Sequence, residues 1–312
     1  MSNKSESETN TSTCANCGKE EDDNIKLKTC TACKLVRYCS RDCQITHRPQ
    51  HKKACKKRAK ELYDEKLFKQ PPLVDDDDCP LCMIRLPTIA KGRTYMNCCG
   101  KVICSGCFFA PLYDHQVNEV DDDKQNECPF CRTLAPKSDE EAIKRYEKRA
   151  ELNDAIAICD LGCYYKEGSC GLPQNMDKAF ELWHQAGELG YASAYYNIGC
   201  AYKFGRGVDR DEKKAMYYWG LAAMSGDVDA RFNLGGNEAK AGNIDRALQH
   251  YMIAVKDGDS SSLNNIKIMY EYGDATKDDY AKALQSYQAY VDEIKSKQRD
   301  EAAASDEYQN YY

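Results

Sequence analysis

The sequence predicts a mainly α-helical fold class, in which two small cysteine-rich modules precede an α-solenoid of helix-turn-helix repeats. Two observations lead to this prediction. Fifteen of the nineteen cysteines lie before residue 132, in pairs whose spacing suits a shared metal ion. Beyond residue 150 cysteines become sparse, and related helical strings recur at intervals of 32 to 37 residues.

Composition limits the classes of ligand and of compartment. The chain has 312 residues and a formal net charge of −6, which disfavours nucleic acid as the main ligand because phosphate binding requires a basic surface. No stretch approaches the ~18 apolar residues of a membrane span, and the N-terminal MSNKSESETN lacks the apolar core of a signal peptide. We expect a cytoplasmic or nuclear protein without a membrane segment, whose reduced thiols bind metal instead of forming disulfides.

The first module spans residues 14–55 and follows a tail, residues 1–13, that we expect to be disordered. Two Cys-x2-Cys pairs and two helical pairs spaced i, i+4 supply eight ligands, which is the number that two tetrahedral zinc ions require. The candidate ligands are Cys14, Cys17, Cys30, Cys33, Cys39, Cys43, His51 and Cys55.

The strings YCSRDCQ at 38–44 and HKKAC at 51–55 make this module resemble the MYND zinc finger, whose ligand pairs interleave. In MYND fingers, a tryptophan three residues before the ligand histidine usually forms an aromatic platform that binds proline-containing peptides. Here Arg48 occupies that position. His47 is interpreted as a surface residue because the eight ligand positions are already filled. The resemblance implies one zinc on Cys14, Cys17, Cys39 and Cys43, and another on Cys30, Cys33, His51 and Cys55.

Residues 56–78 are predicted to form a helical and acidic linker. The basic stretch Lys52 to Lys60 leads into a short amphipathic helix, which Pro71 ends, and an acidic run from Asp75 follows. The basic stretch also suits a nuclear-localisation or nucleic-acid patch. A solvated helix face is the simpler interpretation.

The second module spans residues 79–132, with a Cys-x2-Cys pair at its start, another after a Cys-Cys-Gly string, and a Cys-Pro-x-Cys pair at its end. It resembles a RING finger, in which two zinc ions are likewise cross-braced. The resemblance implies a first zinc on Cys79, Cys82, Cys104 and Cys107.

The second zinc site of this module departs from the usual RING pattern. Lys101 stands where RING fingers usually place histidine, and a protonated lysine cannot bind zinc. An all-cysteine variant has the Cys99-x4-Cys104 spacing. Two adjacent ligands are geometrically demanding, which leaves open that Cys98 or Cys99 is free and that His115 replaces it. We assign Cys98, Cys99, Cys128 and Cys131.

A RING finger docks a ubiquitin-conjugating enzyme and uses none of its own side chains as catalytic groups. Its docking surface has an apolar residue inside the first Cys-x2-Cys, a proline inside the last, and a basic residue just after it. Leu81, Pro129 and Arg132 occupy these positions. The resemblance therefore implies a RING-type ubiquitin ligase, and a non-catalytic interaction scaffold is the alternative.

Residues 133–150 are predicted to form a linker helix, residues 151–295 a repeat solenoid, and residues 296–312 a flexible tail. Small residues at equivalent positions allow close helix packing, and large aromatic residues fill the matching pockets. The small residues are Gly162, Ala179, Gly199, Ala215, Gly235, Ala247 and Ala283, and the aromatic ones are Trp183, Trp219, Tyr251 and Tyr287.

The string LGCYYKEG at 161–168 makes these repeats resemble Sel-like repeats, which are relatives of the tetratricopeptide repeat. The resemblance implies a surface that recruits a client protein. Cys159, Cys163, Cys170 and Cys200 are interpreted as small core residues. We expect four zinc ions per chain, and zinc modules that unfold separately from the solenoid with a boundary near residue 140.

Overall fold

The computed structural model describes residues 12–69, 78–88, 92–109 and 127–304, with the side chain of residue 303 excepted. The chain divides into two compact units, Met1–Lys69 and Gln70–Tyr312. Residues 1–11 and 305–312 of the predicted tails and residues 70–77 of the linker lie outside the described residues, as does the insert at 110–126 that contains His115.

The first unit contains a two-stranded antiparallel sheet and one long helix. Strands β1 (Lys28–Thr29) and β2 (Arg37–Tyr38) pair in the register Lys28 opposite Tyr38. Helix α1 (Arg41–Leu67) begins at Ser40, whose side chain accepts a hydrogen bond from the Cys43 backbone N–H at 3.2 Å. The helix that carries ligands of the first module thus continues without a break into the segment predicted as a separate linker helix.

The second unit begins with the second cysteine module. Strands β3 (Arg93–Met96) and β4 (Lys101–Cys104) form an antiparallel hairpin, and a helical turn follows at residues 105–109. Leu86 and Ile103 form its small core together with buried ligand cysteines.

Helices make up the rest of the described second unit, and none of them is long and apolar enough to cross a membrane. The predicted mainly helical fold class is confirmed. The helices are α2 (Asp139–Glu151), α3 (Ala155–Glu167), α4 (Met176–Glu188), α5 (Ala192–Phe204), α6 (Glu212–Met224), α7 (Val228–Lys240), α8 (Ile244–Lys256), α9 (Ser260–Tyr272), α10 (Lys277–Ile294) and α11 (Lys297–Ala304).

Glycines in one helix of a repeat receive an aromatic side chain from the next helix. A Cβ atom on Gly162 would lie 2.6 Å from Nε1 of Trp183, and one on Gly199 would lie 2.5 Å from Cδ1 of Trp219. Real Cβ atoms do not approach so closely, so each helix pair depends on the missing side chain. Both tryptophans are at most 2% exposed, which agrees with the pocket predicted from the repeat pattern.

The second cysteine module packs directly on the helices. Tyr95 donates a hydrogen bond to Asp154 at 2.8 Å, near the start of the array, and Arg85 pairs with Glu293 of α10 at 2.6 Å. The expected boundary near residue 140 is therefore not a boundary between compact units. The division lies after Lys69, because long-range contacts join the second module to the helices.

Candidate zinc centres

Sixteen thiol and imidazole groups gather into four sets of four. Within each set the ligand atoms all lie within 4.8 Å of one another. The sets are Cys14, Cys17, Cys39 and Cys43; Cys30, Cys33, His51 and Cys55; Cys79, Cys82, Cys104 and Cys107; and Cys98, Cys99, Cys128 and Cys131.

The distances within the sets suit tetrahedral zinc. Four sulfurs at 2.3 Å from zinc are separated by about 3.8 Å, and the structure has Cys82 Sγ 3.8 Å from Cys104 Sγ and Cys30 Sγ 3.9 Å from Cys55 Sγ. All the cysteines are free thiols. Cysteine with histidine is the donor set that zinc prefers, so these residues fit zinc in both distance and chemistry.

Four equivalent turns carry the Cys-x2-Cys pairs that are not helical; we call them knuckles and name each by its first ligand, Cys14, Cys30, Cys79 or Cys128. In each knuckle the residue after the second cysteine has a positive φ, and its N–H donates to the carbonyl of the first cysteine at 2.8–3.0 Å. This turn directs both thiols to one side. The residues with positive φ are Gly18, Lys34, Met83 and Arg132.

In the first module, helix α1 supplies the ligands that complete both sets. Cys43, His51 and Cys55 lie on it at intervals of eight and four residues, so they share one face. His51 Nε2 lies 3.1 Å from Cys33 Sγ. Burial and the neighbouring His47 lower the pKa of His51, which favours the neutral imidazole that binds zinc.

His47 is not in either ligand set. Its Nδ1 lies 3.0 Å from the hydroxyl of Tyr38, and its ring stacks on that of His51 with centroids 5.7 Å apart. It is half-buried rather than a fully exposed surface residue, and its contacts orient the ligand beside it.

In the second module, both adjacent cysteines enter the same set. Cys98 Sγ lies 3.4 Å from Cys131 Sγ, and Cys99 Sγ lies 4.0 Å from Cys128 Sγ. They occupy the turn of the β3–β4 hairpin, where Gly100 adopts a φ of +73°. The turn lets the two thiols face one point, so the set does not require His115.

The other set of this module contains an acidic thiol. Hydrogen bonds from the Cys104 thiol and from backbone N–H groups lower the pKa of Cys79 to about 4, although burial opposes the change. A thiolate is the form that binds zinc.

The predicted docking residues lie on knuckles of the second module. Leu81 is 39% exposed inside the first knuckle, Pro129 is half-buried inside the last, and Arg132 is exposed after it. Two exposed apolar neighbours were not predicted: Met83, 75% exposed, and Phe130, 42% exposed. Their positions next to zinc ligands were the only signal that the sequence offered.

Sequence reasoning also missed one residue at the edge of a ligand set. Arg299 of α11 is completely buried, and its Nη2 lies 3.9 Å from Cys82 Sγ. It falls in the segment predicted as a flexible tail, where no pattern distinguishes it from a surface arginine.

Comparison with protein families identifies two kinds of module. Residues 14–55 match the MYND finger, and residues 155–191, 192–227 and 268–288 match the Sel1 repeat. Helices α7 and α8 continue the array between the second and third matched segments. Comparison with curated proteins gives no match.

Comparison with solved structures finds proteins that are similar to part of this chain. A Sel1 repeat protein from Oxalobacter formigenes is 26% identical over 60% of this chain and 70% of its own, with a TM-score of 0.42. The antigen c5321 of uropathogenic Escherichia coli, which displays an SLR fold, is 22% identical over 56% and 45%, with a TM-score of 0.40. The immunity protein Pa5087 of Pseudomonas aeruginosa is 19% identical over 60% and 65%, with a TM-score of 0.37.

Proposed function

We propose that this chain, in which a zinc-binding MYND finger precedes Sel1 repeats for protein interaction, brings a client protein to a ubiquitin-conjugating enzyme. The second cysteine module would be the RING-type docking site for that enzyme, and the repeats would recruit the client. The observation that supports this proposal best is the uncovered surface of the module at Leu81, Pro129 and Arg132.

The second module has residues that pack on helices and residues that are exposed. Tyr95 and Gly106 contact the helices of the second unit. Leu81 and Met83 of the Cys79 knuckle and Phe130 of the Cys128 knuckle are exposed. Exposed apolar groups near an exposed cation, here Arg132, are typical of a protein-binding surface. A conjugating enzyme is the partner that the RING resemblance implies.

Arg132 suits a role in binding and contributes little to the fold. In the part of the chain that the structure describes, its guanidinium makes no hydrogen bond or ion pair. Its backbone N–H closes the last knuckle by donating to the Cys128 carbonyl at 2.9 Å. Removal of the side chain therefore leaves the knuckle bond in place.

An autoubiquitination assay of Arg132→Ala with a panel of conjugating enzymes tests the proposal. We expect transfer to fall roughly tenfold or more, because interfacial arginines often contribute about 2 kcal/mol or more to binding. Lys34→Ala is the matched control, since Lys34 occupies the same knuckle position in the MYND finger with a φ of 59°. We expect the control to retain full transfer.

Zinc content, measured by native mass spectrometry, must be equal in both variants and in the wild type. Equal transfer by wild type and Arg132→Ala would remove the role proposed for Arg132. An inactive wild type with every conjugating enzyme would reject the ligase in favour of a second candidate, a non-catalytic scaffold.

A groove on the MYND finger favours that second candidate. It has a volume of about 520 Å³ and lies along α1, beside the ligands His51 and Cys55. Among the described residues, its lining includes the exposed Ile45 and no carboxylate. Such a groove suits an acidic peptide, whose binding requires no ubiquitin transfer. The cations that line it are Arg41, Arg48, Lys52 and Lys56.

A further inference from the structure

The guanidinium of Arg299 joins the last helix to the first knuckle of the second module. Its Nη1 donates to the carbonyls of Arg85 and Ile294, both at 2.7 Å, and its Nη2 donates to the carbonyl of Ile84 at 3.1 Å. Ile84 and Arg85 directly follow this knuckle, and Ile294 ends α10. One buried side chain therefore ties the module to the end of the array.

Helix α11 also lies against the segment that carries the other two ligands of the same set. A Cβ atom on Gly106, between Cys104 and Cys107, would lie 2.9 Å from the backbone nitrogen of Arg299. The Cys107 thiol lies 3.8 Å from Oε1 of Gln298. The helix thus contacts both halves of this ligand set.

Further contacts place the module between the two ends of the array. At α10, the Thr88 N–H donates to the hydroxyl of Tyr290 at 2.9 Å, next to the pair of Arg85 with Glu293. At the other end, Tyr95 donates to Asp154, which begins α3. The same small module therefore contacts α3 at the start of the array and α10 and α11 at its end. Without the module, these contacts that link the two ends of the array would be lost.

We propose that zinc at Cys79, Cys82, Cys104 and Cys107 closes the repeat array through Arg299, which acts as a positioning residue. A zinc-bound set of thiolates is anionic, and a guanidinium near Cys82 complements that charge. The same zinc fixes the knuckle whose carbonyls accept from Arg299. Zinc at this site and the docking of α11 therefore stabilise each other.

Zinc release from Arg299→Gln tests this coupling in the full chain. We expect one of the four zinc ions to leave roughly 10-fold to 100-fold faster in the presence of a chelator, as for other residues that support metal ligands. Native mass spectrometry counts the ions that remain at each time. Lys297→Gln is the matched control, because it removes a positive charge from the same helix at a side chain that is 91% exposed.

Hydrogen exchange supplies the reciprocal test. Cys107→Ser weakens the set that α11 contacts, and Cys131→Ser weakens the other set of the same module. We expect faster amide exchange at residues 297–304 in Cys107→Ser only. The two cysteine variants test the coupling between zinc binding and α11 docking even if Arg299→Gln does not fold.

Unchanged zinc release in Arg299→Gln, or equal exchange at residues 297–304 in the two cysteine variants, would overturn the proposal. Neither measurement involves ubiquitin or a client. The coupling can therefore fail while the proposed ligase function stands, and the reverse is also true.

Discussion

The two cysteine modules have the same number of ligands, the same interleaved order and the same knuckles, yet their surroundings differ. In the first module, Leu27 and Tyr38 are the buried residues that accompany the buried cysteines, and Leu67 is the buried residue of α1. The second module has Ile103 in its core and a broad face on the helices. The comparison shows that the same ligand pattern accompanies a small local core in one module and a face packed on helices in the other.

Metal removal should produce the largest difference in behaviour between the two modules. A structural zinc contributes about 10–16 kcal/mol of apparent folding free energy, and the first module has little apolar burial to replace it. We expect a chelator to abolish amide protection throughout α1, at Arg41–Leu67, while helices α3 to α9 keep theirs. Hydrogen exchange with mass spectrometry measures both regions in one sample.

The second module should respond to the chelator in an intermediate way. Its hairpin and α11 are expected to lose protection later than α1, because contacts with α2, α3 and α10 remain. Simultaneous loss of protection in both modules would contradict the difference drawn here. Because of these contacts, the expectation that the zinc modules unfold separately from the helices is restricted to the first module.

Two glycine substitutions, one in each module, test whether packing on the helices contributes to the stability of the second module. Gly106→Ala forces a methyl group against the α11 backbone, and overpacking of this kind costs about 1–3 kcal/mol. Gly18→Asn places a side chain where no atom lies within 4 Å, in a left-handed conformation that asparagine tolerates. Urea unfolding should show a lower midpoint for the second unit in Gly106→Ala and little change in Gly18→Asn.

The smallest expected effect concerns pH. Burial raises the pKa of Asp160 to about 7 and that of Asp227 to about 6, so these two carboxyls bind protons more tightly in the folded array than in the unfolded chain. The stability that they contribute is fully present below the ordinary aspartate pKa of about 4 and is lost as pH rises through the raised values to about 7. Zinc binding has the opposite dependence, because its ligands must lose protons.

The two tryptophans, Trp183 and Trp219, report the array alone, because the rest of the chain has none. Their fluorescence during urea unfolding should show a higher midpoint at pH 5.5 than at pH 7.5. Asp160→Asn removes one titrating carboxyl and should reduce this difference. An equal difference in wild type and Asp160→Asn would contradict the raised pKa of Asp160.

The sequence predicts features whose cause is local. Knuckle spacing brings each pair of thiols together, and the recurrence of Gly162 and Gly199 matches the close approach of Trp183 and Trp219. Ala179 is completely buried, as its place in the repeat indicates. Each of these features depends on residues within one knuckle or one pair of helices, so a single sequence contains the whole signal.

The packing of the second module on the array depends on residues far apart in the sequence. Arg85 and Glu293 are 208 positions apart, and Thr88 and Tyr290 are 202 apart. Each of them, like Arg299, is of a residue type that occurs commonly on helix and loop surfaces. Nothing in periodicity or spacing identifies their partners, which is why residues 296–312 were predicted to be a flexible tail.

The distance in sequence between Arg299 and the first knuckle of the second module also has a consequence in time. The carbonyl of Ile84 and the guanidinium that donates to it are 215 residues apart. A ribosome that adds 5–20 residues per second needs roughly 10–40 s to synthesise the intervening chain. Throughout that interval the array-facing side of the module has no helix α11 to cover it. A nascent chain released before residue 299 would keep that side uncovered, and such a surface is a target for chaperones and proteases.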